Sequence, residues 1–567
     1  MTKNEPITAP IVDAPPITVD LLVIGAGGGG LTAALTAAAA GKKVLLVEKM
    51  STLGGTTATS GGAVWIPNSP VMQAAGEADS FDAALNYLDS IIGDCGPATS
   101  MARKKAFISE GSKMVSLLGT QGLQLQFCGF PDYYSGRPNG RARGRAFESA
   151  VVDGKTLGND YLRINPRALF PALAMVIAES AAFTNAMRGW GNAKVAMIAV
   201  GRTIGGTLRG KALLTMGTGL VAQLVHAARK RGVEILTQTP LVKLVTGANG
   251  AVTGAVVRRV DGSFQRIDAR DGVVLATGGF SHNRQMRAEY QPYLGEGWTA
   301  AARGDEGDGI RAGLELGATV AQMDESWWMP MNVAPGGQRM LCIIERAKPH
   351  SIVVDAGGER FFREPAPYME AGQCILRRQK EKGGAIPCWL VFDSRHRKRY
   401  PFGEWPAGIT PQKAIDAGFI IRADSLAQLA ERCGVDANGL ARTVVRFNGM
   451  CAAGIDEDFH RGEDPFEKFC GDNSVAPNPT MGTLEKPPYY AVAIYPGDIG
   501  TNGGLLTDEF ARVLRADGQP IAGLYATGNC TASVMGRTYP GPGITIAAAM
   551  VFGYVAANHA VGRGVGK

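Results

Sequence analysis

An α/β fold, with a parallel sheet drawn from two distant stretches of chain and an α+β domain inserted between them, is predicted by three features of the sequence. A cluster of glycines, Gly25-Ala26-Gly27-Gly28-Gly29-Gly30, lies between a short apolar run and an alanine-rich stretch. A second apolar run follows soon after, completing a strand–helix–strand pattern within about 30 residues. Two further apolar runs, ending at Ala276 and Ala526, lead into the similar turns Thr277-Gly278-Gly279 and Thr527-Gly528-Asn529 although they are far apart in the chain.

Each element follows in order. Residues 20–24 are apolar on both faces, as a buried parallel strand is. Residues 31–40 are rich in alanine and leucine and stop at Gly41, which predicts a helix, and 43–48 repeat the buried-strand pattern. This is a Rossmann-type start. Residues 233–236, 241–245, 252–259 and 264–268 predict short strands, with turns at Asn249-Gly250 and Asp261-Gly262. Residues 273–276 and 523–526 return to the parallel sheet. The expected division is a polar leader over 1–18, a nucleotide-binding domain over 19–280 and 490–567, and a catalytic α+β domain over 281–489.

Composition narrows the function. The 567 residues include 45% apolar and 19% charged side chains, which fits a globular protein and fits neither disorder nor a multi-pass membrane protein. The 76 glycines are about twice the ordinary share and point to loops where backbone must come close to a ligand. The net charge of +7 is mild, with no long basic run, so nucleic acid is not an expected partner. The nine cysteines are scattered, without a CxxC pair, which argues against a disulfide framework and a metal site and suits a reducing cytoplasm. Residues 169–187 are strongly apolar with Glu179 as their one charge. They are too short to span a bilayer and read as a buried or pocket-covering helix, or one touching a membrane surface.

The glycine cluster satisfies G-x-G-x-x-G through Gly25, Gly27 and Gly30, with Gly28 inside it. Such glycines serve a tight turn, the approach of backbone to a pyrophosphate, and close packing of helix on strand. Glu48 ends the second strand where a carboxylate can hydrogen-bond a ribose hydroxyl, and Lys49 follows it. A second small-residue segment, Gly54-Gly55-Thr56-Thr57-Ala58-Thr59-Ser60-Gly61-Gly62, offers amides and hydroxyls for a cofactor longer than a nicotinamide dinucleotide. FAD is therefore expected. The segment holds no histidine or cysteine, so the expected attachment is non-covalent.

Taken together, DLLVIGAGGGG, LVEK, GGTTATSGG, LATGGF and GLYATGN resemble the flavoproteins of the fumarate reductase and ketosteroid dehydrogenase group. The stretches Tyr495–Gly504 and Met535-Gly536-Arg537-Thr538-Tyr539-Pro540-Gly541-Pro542-Gly543 look like signatures of the 3-ketosteroid Δ1-dehydrogenases within it. The resemblance implies a cofactor site that also draws on Thr277, Gly278, Gly279, Asp308, Gly528, Asn529, Gly543 and Ile544. It implies a catalytic set of Tyr368 as base at steroid position 2, Tyr133 as its hydrogen-bond partner, and the Tyr539 hydroxyl with the Gly543 amide polarising the 3-ketone. A small apolar 3-ketosteroid would be the substrate and a quinone-like molecule the electron acceptor. One departure stands out: Arg363-Glu364-Pro365 replaces the Asn-Glu-Ser usual in that family before the catalytic tyrosine.

The reaction makes a physical demand of its own. Phenols titrate near 10, so Tyr368 serves readily as a base only if its titration falls on folding, and a rise weighs against that role. Alternatives are a Δ4-(5α)-3-ketosteroid dehydrogenase, a fumarate reductase or succinate dehydrogenase acting on a dianion, and a flavin-binding module without turnover. The dianion reading needs cationic clamps. Only six histidines exist, none falls in the 533–536 segment, and Arg537 is the remaining candidate. The Ser326–Met331 run, with Trp327 and Trp328, suits a lining for an apolar substrate. The Arg303–Gly309 loop is expected at the hinge of the inserted domain or against the flavin.

Overall fold

The computed structural model describes residues 15–563 except 167–172, 187–188, 296, 335, 336, 338 and 404. Most of the expected leader therefore lies outside the described residues, and its last two positions already belong to the first strand, Ile17–Ile24.

Five parallel strands form the centre of the larger sheet, in the order Pro520–Ala526, Phe264–Leu275, Ile17–Ile24, Val44–Val47 and Glu234–Leu236. Leu22, Val23, Leu45, Leu46, Val274 and Leu524 are fully buried, as strands covered on both faces should be. Burial of each large apolar side chain contributes about 1.5–3 kcal/mol. An antiparallel hairpin, Leu241–Thr246 with Val252–Arg258, pairs along the first half of Phe264–Leu275. The runs expected as two strands, 264–268 and 273–276, are thus one strand. A register shift opposite Leu21 and Gly272, whose φ is +128°, lets one continuous backbone leave the hairpin and join the parallel sheet.

Helices Gly28–Ala39, Met216–Lys230 and Ile544–Ala560 pack together over one side of this sheet. Small residues bring the first and last of them almost into backbone contact: a Cβ on Gly553 would lie 2.3 Å from the Gly29 carbonyl oxygen. That crossing accounts for part of the glycine excess.

The second sheet is antiparallel, in the order Arg339–Leu341, Ser326–Val333, Tyr489–Thr501, Cys388–Asp393 and Ser351–Val354, with Ile421–Ala423 also paired to Tyr489–Thr501. The long strand Tyr489–Thr501 begins where the second nucleotide-binding stretch was expected, yet all its ladder partners lie in this sheet. Helix Tyr368–Lys382 packs on Ser326–Val333, with Gly372 against Trp328: a Cβ there would lie 2.4 Å from Trp328 Cβ.

The apolar 169–187 stretch does not form one helix. Its described part contains a 3-10 turn, Ile177–Glu179, and a short helix, Ser180–Thr184, while 169–172 and 187 lie outside the described residues. Among the described residues, no helix is long and apolar enough to cross a membrane.

Candidate active site

The nucleotide cradle forms where the first strand meets its helix. A Cβ on Gly30 would lie 2.0 Å from the Gly25 carbonyl oxygen, and one on Gly25 would lie 2.2 Å from the Ala276 oxygen, so these two glycines are required by packing alone. Gly27 differs. A Cβ on it meets nothing within 4 Å, although it caps a helix start whose amides suit a phosphate. Gly55 is likewise open. Both face space that a pyrophosphate-containing cofactor can fill.

The acids and hydroxyls around the cradle hold its loops in place. Glu48 accepts hydrogen bonds from the amides of Ala26 (2.8 Å) and Met50 (2.9 Å), and burial raises its titration. Gly28 donates its amide to Thr57 Oγ1 at 3.1 Å, and Ser60 Oγ accepts from Gly62 at 3.0 Å. Lys49 pairs with Asp308 and Glu306, each at 2.7 Å, so two expected cofactor residues also clamp the first nucleotide-binding stretch to the Arg303–Gly309 loop. Thr277 Oγ1 accepts from Gly309 at 3.2 Å. Gly54, Gly62, Gly278 and Gly528 have positive φ, and Gly61 and Gly279 lie in the adjoining turns. Asn529 Oδ1 accepts from the Trp327 indole at 3.1 Å. This donor set fits a dinucleotide with an extended second half, as FAD is.

One neighbour was missed in the sequence. Asp305 is buried beside Gly278, accepts from Thr56 Oγ1 at 3.3 Å, and is pushed up by burial to about 7. It belongs to the Arg303–Gly309 loop expected at the hinge or against the flavin, but was not singled out among that loop's acids.

Next to the cradle, the three expected tyrosines converge. Tyr133 and Tyr368 have ring centroids 5.3 Å apart at 79°, Tyr368 and Tyr539 4.7 Å at 64°, and Tyr133 and Tyr539 5.4 Å at 20°. All three are buried. Tyr133 is fixed by its amide, which donates to the Pro540 carbonyl at 2.9 Å, and Tyr87 donates its hydroxyl to the same oxygen at 2.6 Å. Beneath it, Asp132 accepts from the Trp65 indole at 2.8 Å and pairs with buried Arg145. Tyr368 opens helix Tyr368–Lys382. The preceding turn, where the family's usual triplet is replaced, is tied down by Glu364, which accepts from Arg360 (2.7 Å) and pairs with Arg461 (3.1 Å). Arg363 itself pairs with Glu370 and Glu467, each at 3.2 Å. Tyr539 precedes Gly543, which caps helix Ile544–Ala560 with φ +83°. A Cβ on Gly543 would lie 1.8 Å from the Ala63 oxygen, so only glycine fits. Ile544 is fully buried in the same turn.

The titration of Tyr368 goes against the sequence expectation. Burial, then the Tyr133 and Tyr539 phenols beside it, push it well above the ordinary tyrosine range. Desolvation is the largest of these causes, and the neighbouring phenols add to it. Tyr133 rises well above the range too, first through burial. Tyr539 also rises through burial, but hydrogen bonds from Tyr368, Thr545 and the Gly543 amide oppose the rise. The Gly543 amide thus lies close to the Tyr539 oxygen.

Two tryptophans complete the surroundings. Trp327 stands edge-on to Tyr539 at 5.4 Å and 86°. Trp328 donates to Glu325, which also pairs with Arg537 at 2.6 Å. Arg537 has a second carboxylate partner, Asp324, at 2.9 Å. With both acids on it, Arg537 is not a free clamp for a dianion. Among the described residues, no cluster of histidine, cysteine and carboxylate side chains could hold a metal ion.

A parallel sheet with a glycine-rich cradle, a second sheet and a buried phenol cluster define a flavoprotein oxidoreductase. Residues 20–546 match the family model described as FAD binding domain. The 3-oxosteroid 1-dehydrogenase of Mycobacterium tuberculosis H37Rv is 40% identical over 556 residues, covering 95% of this chain and 98% of its own. The crystal structure of a 3-ketosteroid Δ1-dehydrogenase from Sterolibacterium denitrificans, in complex with 1,4-androstadiene-3,17-dione, superposes with a TM-score of 0.90 at 38% identity, covering 96% of this chain and 99% of that one. The 3-ketosteroid Δ4-(5α)-dehydrogenase of Rhodococcus jostii RHA1 shares the fold, with a TM-score of 0.64 at 21% identity, covering 98% of this chain and 99% of that one. The chain belongs to the 3-ketosteroid Δ1-dehydrogenase family of FAD-binding flavoproteins.

Proposed function

We propose that this protein is an FAD-dependent oxidoreductase that introduces the 1,2 double bond into 3-ketosteroids. The observation that carries the reading is the convergence of Tyr133, Tyr368 and Tyr539 beside Gly543, in a site walled by Trp327.

Tyr539 donates its hydroxyl to the 3-ketone oxygen. That hydroxyl is a stronger donor because its own oxygen accepts from the Gly543 amide and Thr545, a cooperative chain, and the start of helix Ile544–Ala560 adds its dipole. The polarised ketone acidifies the hydrogen at C2, which Tyr368 removes. Because Tyr368 is neutral in the protein at ordinary pH, this step uses its ionised fraction, and the Tyr133 and Tyr539 phenols packed beside it offer the phenolic proton a way out. Bound in the glycine cradle, FAD supplies the acceptor for the hydride leaving C1. The C2 proton and C1 hydride depart together from one C–C bond, which becomes the double bond. Electrons then pass to a quinone-like acceptor.

The test is spectroscopic. Anaerobic mixing with a saturated 3-ketosteroid bleaches the oxidised flavin band and yields the 1,2-desaturated ketone, while succinate leaves the band unchanged. A flavin reduced by succinate, or a product unsaturated at C4, overturns the reading.

A further inference from the structure

Arg363 joins the stretch that carries Tyr368 to the stretch that braces Tyr133. It lies shortly before Tyr368, where the chain departs from the asparagine usual in the family. Its Nη2 donates to both carboxylate oxygens of Glu370 at 3.2 Å, and its Nε pairs with Glu467 at 3.2 Å. Glu370 stands in the first turn of helix Tyr368–Lys382. Glu467 belongs to the short helix Pro465–Cys470, and its other oxygen accepts from the Gly462 amide at 2.7 Å.

The short helix in turn grips the Tyr133 loop. Phe466, next to Glu467, packs on the Tyr133 ring at 4.7 Å, and its amide donates to Ser135 Oγ at 2.9 Å. Asp464 caps the helix and accepts from Ser135 Oγ at 2.8 Å and from the Gly136 amide at 3.0 Å. Burial, then Glu370, raise the titration of Tyr134 and Arg363 opposes them, so the same charges reach the residue beside Tyr133. A continuous path thus runs from Tyr368 through its own helix, Glu370, Arg363, Glu467 and Phe466 to Tyr133.

The buried end of this bridge is Glu467. Its side chain is 1% exposed, against 29% for Arg363 and 31% for Glu370, and water screens the more exposed pair. The charges facing Glu467 are Arg363, Asp464 and Glu370, and the Cys470 thiol lies in its field. Burial, aided by Asp464 and Glu370 and opposed by Arg363 and the Gly462 amide, pushes Glu467 up to about 7. Above that pH the carboxylate is ionised and paired with Arg363, and below it the acid is neutral and the pair is lost.

We propose that Arg363 is a positioning residue, which by pairing with Glu467 sets Tyr368 and Tyr133 at their working separation for removal of the C2 proton. The proposal rests on the steroid reading above. Displacing a reacting group by about 1 Å can cost about 10²-fold in rate, so the bridge acts on the chemical step and leaves flavin loading alone.

The experiment follows anaerobic flavin bleaching by a saturated 3-ketosteroid, at several steroid concentrations and at pH 6 and pH 8, in the full-length, FAD-loaded protein. Glu467→Gln copies the protonated acid. The ratio of the wild-type maximal rate to the Glu467→Gln rate should climb at least fourfold from pH 6 to pH 8 and reach about tenfold or more there. Taking a ratio cancels the rise that ionisation of Tyr368 gives to both proteins. FAD content and the half-saturating steroid concentration should stay at wild-type values. At pH 8, Arg363→Met should lose as much as Glu467→Gln, Arg363→Lys should recover most of the loss, and R363M/E467Q should be no slower than either single variant.

A role in stability alone lowers the unfolding temperature and leaves the ratio equal at the two pH values, which overturns the proposal. So does wild-type bleaching by Arg363→Met at pH 8, or a double variant whose loss is the product of the two single losses. Should Arg363→Met fail to fold, the Glu467→Gln ratio and Arg363→Lys decide between the same outcomes. A wild-type flavin that no 3-ketosteroid bleaches removes the steroid reading and this proposal together, whereas normal wild-type bleaching with a pH-independent ratio removes this proposal alone.

Discussion

The rings of Tyr368 and Tyr539 meet edge to face, 4.7 Å apart, although one opens a helix of the inserted sheet's domain and the other lies just ahead of the last helix. The candidate site thus draws its phenols from stretches far apart in the chain.

Replacing Tyr368 by phenylalanine keeps ring packing and deletes the proton acceptor. FAD content should remain that of the wild type, and the rate of flavin bleaching by the steroid should fall about 10²–10⁴-fold. Stopped-flow absorbance checks this, and near-normal bleaching removes Tyr368 from the mechanism. Tyr539→Phe deletes the donor to the ketone and should cost about 10²–10³-fold in the same assay.

The raised titration of Tyr368 predicts the pH profile. A base whose ionised form is scarce gains about tenfold in population per pH unit below its pKa. The rate of flavin reduction should therefore climb steadily with pH through the neutral range and beyond the ordinary tyrosine value near 10, as far as the fold survives. A plateau near neutrality would show that bound cofactor or steroid lowers the phenol instead.

Gly27→Ala and Gly30→Ala should behave differently. The first adds a methyl into open space and should fold normally, with FAD affinity reduced at least tenfold by titration of the flavin band. The second drives a Cβ into the Gly25 carbonyl at 2.0 Å and should lower the unfolding temperature or prevent folding. Equal flavin affinity in Gly27→Ala and wild type would mean that the cofactor does not cross this glycine.

Glu148 links the 3-10 turn Ile177–Glu179 to pH. It accepts from the amides of Ile177 (2.6 Å) and Ala178 (3.0 Å), and burial pushes it up to about 7. A carboxyl raised on folding contributes stability that is complete below its unfolded value near 4.5 and is lost as pH rises toward 7. The loss amounts to about 3 kcal/mol at most by linkage. Denaturant unfolding at pH 5 and 8 measures it, and Glu148→Gln should flatten the difference.

Arg537→Met leaves buried Glu325 without its cation and should destabilise the protein by about 1–3 kcal/mol, read by thermal unfolding. Succinate should reduce the flavin of neither protein. Succinate activity in the wild type that is lost in the variant would restore the dianion clamp.

Much of the cradle was legible because its chemistry is written in adjacent residues: strand, glycines, helix, strand and Glu48 lie within one short stretch. The two similar turns after Ala276 and Ala526 also betrayed their shared sheet. What stayed hidden depends on pairing across the chain. The strand Tyr489–Thr501 reads as ordinary until its partners Ser326–Val333 and Cys388–Asp393 are known. The merger of two runs into Phe264–Leu275 turns on one register shift at Gly272. The tyrosines were found through resemblance, but their electrostatics were not, because desolvation depends on everything packed around a ring. Arg537 looked available until its carboxylates, from the other part of the chain, were seen upon it.

Helix Ile544–Ala560 packs on Gly28–Ala39, made from the first 60 residues, and strand Pro520–Ala526 joins the same parallel sheet through Phe264–Leu275. During synthesis, the opening half of this fold must therefore wait, with its apolar helix face uncovered, until nearly the whole polypeptide has left the ribosome. A nascent chain stopped before residue 520 should be a poor flavin binder and a ready client for chaperones, and loading of the cofactor becomes a checkpoint that only finished molecules pass.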